Sequence, residues 1–331
     1  MVTLEHNRLV FRFPEIHEDA VLEVEFQRTL RIPDDDNSYP LPPGLGAFPL
    51  AHVDDYADRV PEAWHARGGV LLPMYQTEAM WLNFHSPRSY PFAVQVAAGK
   101  VNAVTGDGWS EALSETPQDY IIVPGQPWLD GFCVKKGMVR QFVAMPLGEG
   151  YTAEEQLTGS AQHGGLQLIV YPMKLPRYKG ILRRRKSALT RYAHGPVCES
   201  SAAEMGLAPG GLMRQEVHGD PHGLFAWRKR SRSRCFLHIL NSLQYLMVTG
   251  EQPPTPPPTA AQYTDWGLPW FHYYDHELTA LQGASKLAGM KSVAAKGKRT
   301  RQHPLPDNDP ITPTNVRHLS PHGSVVREGS F

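Results

Sequence analysis

The chain has 331 residues, of which 41% are hydrophobic and 20% are charged, and its formal net charge is zero. This composition is typical of a soluble globular protein, and no apolar run approaches the roughly 20 residues that cross a bilayer. The first residues, MVTLEHNRLVFRF, lack the basic start and the uninterrupted apolar stretch of a signal peptide. We therefore expect no membrane insertion and a cytoplasmic location.

The first half of the chain has the patterns of β-strands. Residues 9–13 and 22–26 alternate apolar and polar side chains, which predicts strands with one buried face. Two longer segments, 91–104 and 131–145, are interrupted by glycine and lysine and are typical of hairpins. Residues 165–173 predict a further strand.

Helical patterns become stronger after residue 150. The capping box in residues 152–155 predicts a short helix. The most regular apolar spacing lies in CFLHILNSLQYLMVTG (235–250) and predicts a helix that buries Leu243 in its middle, so that Leu243→Ala would be strongly destabilising. A further helix is predicted over 267–283.

These elements predict an α+β protein. We expect a β-rich N-terminal body over 1–173 and a mixed, more helical C-terminal part over 174–290 that packs on it. The proline-dense segment 251–263 is predicted to be extended, either as a linker or as a strap over the body. Residues 291–331 lack apolar periodicity and predict a disordered, mildly basic tail.

Two segments, HGDPH (218–222) and HYYDH (272–276), each place two histidines four residues apart. In a helix, His272, Asp275 and His276 would lie on one face and could bind a divalent transition metal. His218 and His222 would have to be positioned by a loop. Because 15 histidines make such spacings common by chance, we favour a protein without a cofactor. A metal-dependent hydrolase or isomerase that uses these five residues is the alternative.

Carboxamide and carboxylate side chains stand beside tryptophans in several strand-like segments. Directed hydrogen-bonding groups next to flat apolar rings are typical of a pocket for a small polar ligand. In many β proteins the same residues only satisfy backbone groups. The candidate ligand-binding residues are Glu78, Trp81, Gln126, Trp128, Gln141 and Gln167.

The charges are unevenly distributed along the chain. The first 64 residues hold 13 acidic residues against 5 arginines, whereas residues 174–191 hold eight basic residues and no acid. Residues 228–234 add five more basic residues. The basic segments 177–191 and 228–234 make association with nucleic acid a second alternative, although solvated or mutually paired charges are the favoured interpretation.

Five segments of the chain resemble parts of an uncharacterised microbial protein family with no established activity. They are RTLRIPDD, FVAMPLGEGYTAEEQLTG, GLQLIVYPMK, GLAPGGLMRQ and GLPWFHYYD. The resemblance covers most of residues 28–291 and implies one fold for these segments, but no catalytic residue. The favoured function is therefore a non-catalytic protein that binds a small polar ligand or a protein partner.

Overall fold

The fold is built around a large, mainly antiparallel sheet of 17 strands. The computed structural model describes residues 1–35, 37–185, 205–273, 279–300 and 309–319. Within them, strands outnumber helices and the two are interspersed along the chain, which makes the protein α+β.

The strands of the large sheet follow one another closely along the chain. They are β1 (Val2–Glu5), β2 (Arg8–Arg12), β3 (Val21–Thr29), β4 (Ser38–Tyr39), β5 (Gly44–Ala47), β6 (Ala51–His52), β7 (Val70–Met74), β8 (Ala79–His85), β9 (Phe92–Ala98), β10 (Val101–Asn102), β11 (Ile121–Val123), β12 (Trp128–Leu129), β13 (Gly131–Lys135), β14 (Met138–Pro146), β15 (Leu166–Pro172), β16 (Met205–Arg214) and β17 (Ser233–Asn241). A separate parallel pair consists of β18 (Trp270–Tyr273) and β19 (Val316–Leu319).

The described helices are short. They are α1 (Glu62–Arg67), α2 (Ala153–Thr158), α3 (Leu175–Arg185), α4 (Ser242–Thr249), α5 (Ala260–Asp265), α6 (Ser285–Ala288) and α7 (Val293–Thr300), with 3-10 turns at Val53–Tyr56 and Leu224–Ala226. Among the residues that the structure describes, no helix has the length and apolar character needed to span a membrane.

The large sheet contains two runs of hydrogen-bonded strands. One run is β1–β2–β3–β8–β14–β16, and the other is β7–β17–β15–β9, with β10 and β11 both paired to β9. The runs meet where Met205 of β16 pairs with Ile239 of β17. Apolar side chains from both runs form one main core, which the alternation on β3 illustrates: Leu22 and Val24 are fully buried, and Glu23 between them is partly exposed.

Most of the predicted strands are confirmed. The segments 9–13, 22–26 and 165–173 coincide with β2, β3 and β15, and the hairpins at 91–104 and 131–145 are β9–β10 and β13–β14. The capping box is present at the start of α2, where the Thr152 side chain and the Glu155 side chain each accept the other residue's backbone N–H.

The predicted helix over 235–250 is wrong in its first half. Residues up to Asn241 form β17, which lies between β15 and β7, and the helix begins only at Ser242. From Leu237 to Asn241 both faces of this strand are buried, so its continuous apolar run resembles a helical pattern. Asn241 then caps α4, because its Oδ1 accepts a hydrogen bond from the backbone N of Gln244 at 2.9 Å.

The helix predicted over 267–283 is also wrong in the described residues. Residues 270–273 form β18, which pairs in parallel with β19 and bridges to Leu41 through Phe271. Residues 279–283 are not helical, and Ala280 forms a β-bridge with His218. The prediction that residues 251–263 are extended is wrong for residues 260–263, which belong to α5. The residues before α5 lie against the body as a strap, because the Thr255 carbonyl accepts a hydrogen bond from buried Arg28 at 3.3 Å.

The predicted division at residue 173, between an N-terminal body and a C-terminal part, does not separate two independent sets of strands. Strands β16 and β17 belong to the C-terminal part, yet they pair with β14, β15 and β7 of the N-terminal part. The two parts therefore share one sheet and one core. The strand pairing that produces this arrangement joins residues far apart in the chain, which local patterns do not reveal.

The prediction of a disordered tail from residue 291 is wrong for two described stretches. Helix α7 buries Val293 and Ala294, which are 2% and 8% exposed, and the Ala294 backbone N donates to Asp34 Oδ2 at 2.8 Å. The second stretch is β19, which completes the parallel pair with β18. The apolar residues involved are too few to produce a periodic pattern.

Deleting residues 292–331 is therefore expected to lower the free energy of unfolding by about 2 kcal/mol or more, since it removes the burial of Val293 and the strand that pairs with β18. Chemical denaturation of both proteins measures the difference. A deletion that starts at residue 320, beyond β19, is the control. Equal stability of the two truncated proteins would contradict the packing of α7.

Candidate ligand-binding cleft

The structure does not bring the six predicted ligand-binding residues together. Gln141 bonds the backbone: its Nε2 donates to the Leu30 carbonyl at 2.8 Å and its Oε1 accepts from Ile32 N at 3.1 Å. Gln167 acts in the same way, because its Oε1 accepts from Lys100 N at 2.6 Å. Both carboxamides satisfy buried backbone groups.

Gln126 joins two distant chain segments. Its Nε2 donates to the carbonyls of Trp128 at 2.9 Å and Glu216 at 3.1 Å. Its Oε1 accepts a hydrogen bond from the backbone N of His218 at 3.1 Å. Both ends of this carboxamide are thus occupied by backbone groups, and Gln126 fixes the segment that carries the first histidine pair.

Glu78 forms a fully buried ion pair with Arg28. The Arg28 Nε donates to Glu78 Oε1 at 2.6 Å, and both side chains have no exposed surface. The other carboxylate oxygen of Glu78 accepts from the backbone N of Tyr75 at 2.9 Å. This carboxylate therefore neutralises a buried arginine inside the sheet.

Trp81 and Trp128 lie on one face of the sheet. Trp81 and Asn83 are two residues apart on β8, and Trp128 of β12 pairs with Asn83, so the three side chains share a side. The Trp128 ring also packs edge-on against Tyr273, with 4.8 Å between centroids. Tyr273 borders a small cavity of about 240 Å³.

The loop with the first histidine pair is organised by Asp220. Its Oδ2 accepts hydrogen bonds from the Tyr120 hydroxyl and from the Trp227 Nε1, both at 2.8 Å. Its Oδ1 accepts from the backbone N of His222 at 2.7 Å, and its own backbone N donates to Gln118 Oε1 at 2.8 Å. The aspartate between the two histidines thus closes the loop on itself and attaches it to the body.

His272 of the second histidine pair does not lie on the helix proposed for metal binding. His272 lies on β18, and its ring faces His318 of β19 with 5.2 Å between centroids. Burial lowers the pKa of His272. Asp275 and His276 lie outside the described residues. Within the described residues, no group of three or more histidine, cysteine, aspartate or glutamate side chains could hold a metal ion.

A cleft of about 600 Å³ lies at the connection between β10 and β11. Backbone hydrogen bonds hold this connection: Asn102 N donates to the Asp107 carbonyl and Trp109 N to the Lys100 carbonyl, both at 2.9 Å. The residues that line the cleft are Asn102, Thr105, Asp107, Gly108, Ser110, Ala112, Leu113, Ser114, Glu115, Thr116, Pro117, Asp119 and Leu224. Leu224 lies two residues after the histidine loop, so the chain that follows this loop contributes to the wall.

Asp119 is a buried carboxyl group in this cleft. It is 9% exposed, and its two oxygens accept hydrogen bonds from Ser114 N and Gln95 Nε2, both at 2.8 Å. Burial raises the pKa of Asp119 despite these two bonds. Burial also raises the pKa of Asp130 to about 7, but Asp130 lines neither cavity, and Gln215 donates to it at 2.6 Å.

Two further carboxylates line the cleft. Asp107 accepts a hydrogen bond from Lys286 Nζ at 2.5 Å, and this bond lowers the pKa of Asp107. The second carboxylate is Glu115, which is exposed at the rim of the cleft. Three carboxyl groups against one lysine give the cleft a surplus of negative charge and of hydrogen-bond acceptors.

Sequence reasoning missed the cleft, although the chain carries one signal for it. The connection TGDGWSEALSETPQDY (105–120) is long and polar, and long connections in compact domains are frequently functional. It follows directly on the predicted hairpin at 91–104. The lining also includes Leu224, which is distant in sequence and could not be assigned without the fold.

Comparisons with known proteins give no relative for this chain. No family model, no curated protein and no solved structure matches it. The resemblance to an uncharacterised microbial family therefore stays a prediction, as does the cytoplasmic location.

Proposed function

We propose that this protein is a non-catalytic binding protein for a small polar ligand, and that the ligand occupies the cleft beside Asp119. The observation that carries the proposal is a 600 Å³ cleft with a buried, hydrogen-bonded carboxyl group in its wall. Its volume is in the range of small-molecule sites. Buried ionisable groups with shifted pKa values concentrate at functional sites.

The chemistry of the lining indicates the class of ligand. Carboxyl groups of Asp107, Glu115 and Asp119 accept hydrogen bonds, and hydroxyl groups of serine and threonine both donate and accept. A ligand that donates several hydrogen bonds, and that tolerates or carries positive charge, complements such a surface. We therefore propose a small amine, amino alcohol or polyhydroxylated compound.

Binding without catalysis is favoured over the enzymatic alternative by the side chains in the lining. The described lining contains no histidine or cysteine, so its serine and threonine hydroxyls have no histidine beside them in the lining to activate them as nucleophiles. A metal-dependent hydrolase or isomerase would need His218, His222, His272, Asp275 and His276 to share one ion. Metal analysis of untagged protein tests that alternative, and one equivalent of bound metal would favour it.

Thermal unfolding in the presence of ethanolamine, putrescine, glycerol and glucose tests the proposal. At least one of these compounds is expected to raise the melting temperature, because binding to the folded state stabilises it by mass action. Asp119→Asn is expected to weaken the effect, since the neutral amide binds a cation or a hydroxyl donor less well. Asp58→Asn, at a side chain that is 81% exposed, is the control for the change in charge.

Gly108→Phe is designed to block the cleft, which Gly108 lines. A Cβ at this glycine meets no atom within 4 Å, so the substitution causes no clash at that atom. Gly180→Phe, at a helical glycine with the same free space, is the matched control. The proposal fails if no compound stabilises the wild-type protein, or if the stabilisation survives unchanged in Gly108→Phe.

A further inference from the structure

The fold brings two basic segments of the chain into contact. The backbone N of Lys174 donates to the Ala226 carbonyl at 2.8 Å, and the backbone N of Arg228 donates to the Pro172 carbonyl at 2.9 Å. A β-bridge between Met173 and Trp227 lies between these two bonds. The start of α3 and the segment 228–234, which are more than 40 residues apart in the chain, therefore form one surface.

This surface, called the basic patch, is strongly positive. Its exposed basic residues are Lys174, Arg177, Lys179, Arg183, Arg228, Lys229, Arg230, Arg232 and Arg234. Two carboxylates contact it: Glu111 pairs with Arg232 at 2.5 Å and with Arg234, and Asp19 accepts a hydrogen bond from the Tyr178 hydroxyl of α3 at 2.8 Å. The nine basic residues outnumber these carboxylates, which leaves the basic patch positive.

An exposed aromatic ring lies within the basic patch. Phe225 is 82% exposed, and its neighbour Ala226 is the residue that bonds Lys174. A phenylalanine this exposed is unusual on a protein surface, because burial of its ring would be favourable by about 1.5–3 kcal/mol. A flat ring surrounded by cations can stack on a nucleobase while the cations contact neighbouring phosphates.

We propose that the basic patch binds single-stranded nucleic acid, with Phe225 stacked on a base and the arginines of 228–234 on the phosphates. Single strands are favoured over duplexes because their bases expose a face on which a ring can stack. Six of the nine basic residues are arginines, whose planar fork binds phosphate oxygens in pairs. The basic patch borders the cleft proposed for the small ligand, because Phe225 directly follows the cleft residue Leu224, but the described lining of the cleft contains none of the nine basic residues.

An anionic membrane is the competing partner for such a patch. Peripheral membrane sites combine cations with a broad apolar face that enters the lipid. On the described residues of the basic patch, the exposed large apolar side chains are Phe225 at 82% and Leu182 at 37%. One ring and one partly exposed leucine are a small area for insertion, whereas one ring is sufficient for stacking on a base.

Fluorescence anisotropy with labelled oligothymidine and oligouridine of about 20 nucleotides tests the proposal. The affinity of the wild-type protein is expected to fall at least about tenfold between roughly 50 and 200 mM salt, because binding releases counterions. Phe225→Ala is expected to weaken binding about fivefold or more without changing the salt dependence. Leu243→Ala, at another exposed apolar residue, should have no effect.

The charge-reversal variant Arg228→Glu/Arg230→Glu is expected to weaken binding more than about tenfold. Lys298→Glu/Arg299→Glu, at exposed residues of α7, changes the net charge equally and is the control. Equal losses in the two double variants, or no effect of Phe225→Ala, would overturn the proposal. Binding to phosphatidylserine vesicles without binding to either oligonucleotide would overturn it in favour of a membrane.

Discussion

Glu78→Gln is expected to lower the free energy of unfolding by about 3–5 kcal/mol, because it leaves the charge of Arg28 buried without its carboxylate. Both side chains of this ion pair have no exposed surface, and the Arg28 Nε lies 2.6 Å from Glu78 Oε1. The substitution keeps the size of the side chain and removes only its charge. Urea denaturation measures the loss.

Glu111→Gln is the matched control for this prediction. Glu111 also pairs with an arginine, but its side chain is 37% exposed, and surface pairs contribute about 0–1 kcal/mol. A similar loss in the free energy of unfolding for both variants would show that burial of the Arg28–Glu78 pair is not the reason for its contribution to stability. Unchanged stability of Glu78→Gln would return Glu78 to the candidate ligand-binding residues.

Leu240→Ala is expected to destabilise the protein by about 2–5 kcal/mol, because it opens a cavity in a well-packed cluster. Leu240 is 3% exposed and packs with Val53, Trp64, Leu71 and Tyr245 at the start of α4. Leu243→Ala, three residues further along, is expected to lower the free energy of unfolding by less than about 1 kcal/mol, because Leu243 is exposed and surface substitutions have small effects.

The comparison of Leu240→Ala with Leu243→Ala tests whether residues up to Asn241 form a strand, as in the structure, or part of the helix that the sequence pattern predicts. A helix over 235–250 would bury Leu243, but this side chain is 59% exposed, and Met247 is 71% exposed. Equal costs for Leu240→Ala and Leu243→Ala would contradict the boundary between β17 and α4 at Asn241. Thermal unfolding of the two variants under identical conditions measures the difference.

Strands with one exposed face were predictable from the sequence. On β3, buried Leu22 and Val24 flank partly exposed Glu23, and this local alternation is enough to identify the strand. Strand β17 was not predictable in the same way. Because β7 and β15 cover both of its edges and the core covers its faces, it reads as an apolar run without alternation.

The candidate site was less predictable than the fold. A buried polar residue looks the same in sequence whether it binds a ligand or another part of the protein. The partners of Glu78 and Gln141, which are Arg28 and the backbone of Leu30, lie 50 and 111 residues away. Only the fold reveals that these side chains are already occupied. The same fold brings Leu224 to Asp119 and creates the cleft.

A crystal structure of the protein with the compound that stabilises it most strongly shows whether the cleft is the binding site. We expect electron density for that compound in the cleft, with a hydrogen bond to the carboxyl group of Asp119 or Glu115. Crystals of Gly108→Phe grown with the same compound should show the phenylalanine ring in its place. Density for the compound elsewhere on the protein, with only water beside Asp119, would rule out the cleft as its binding site.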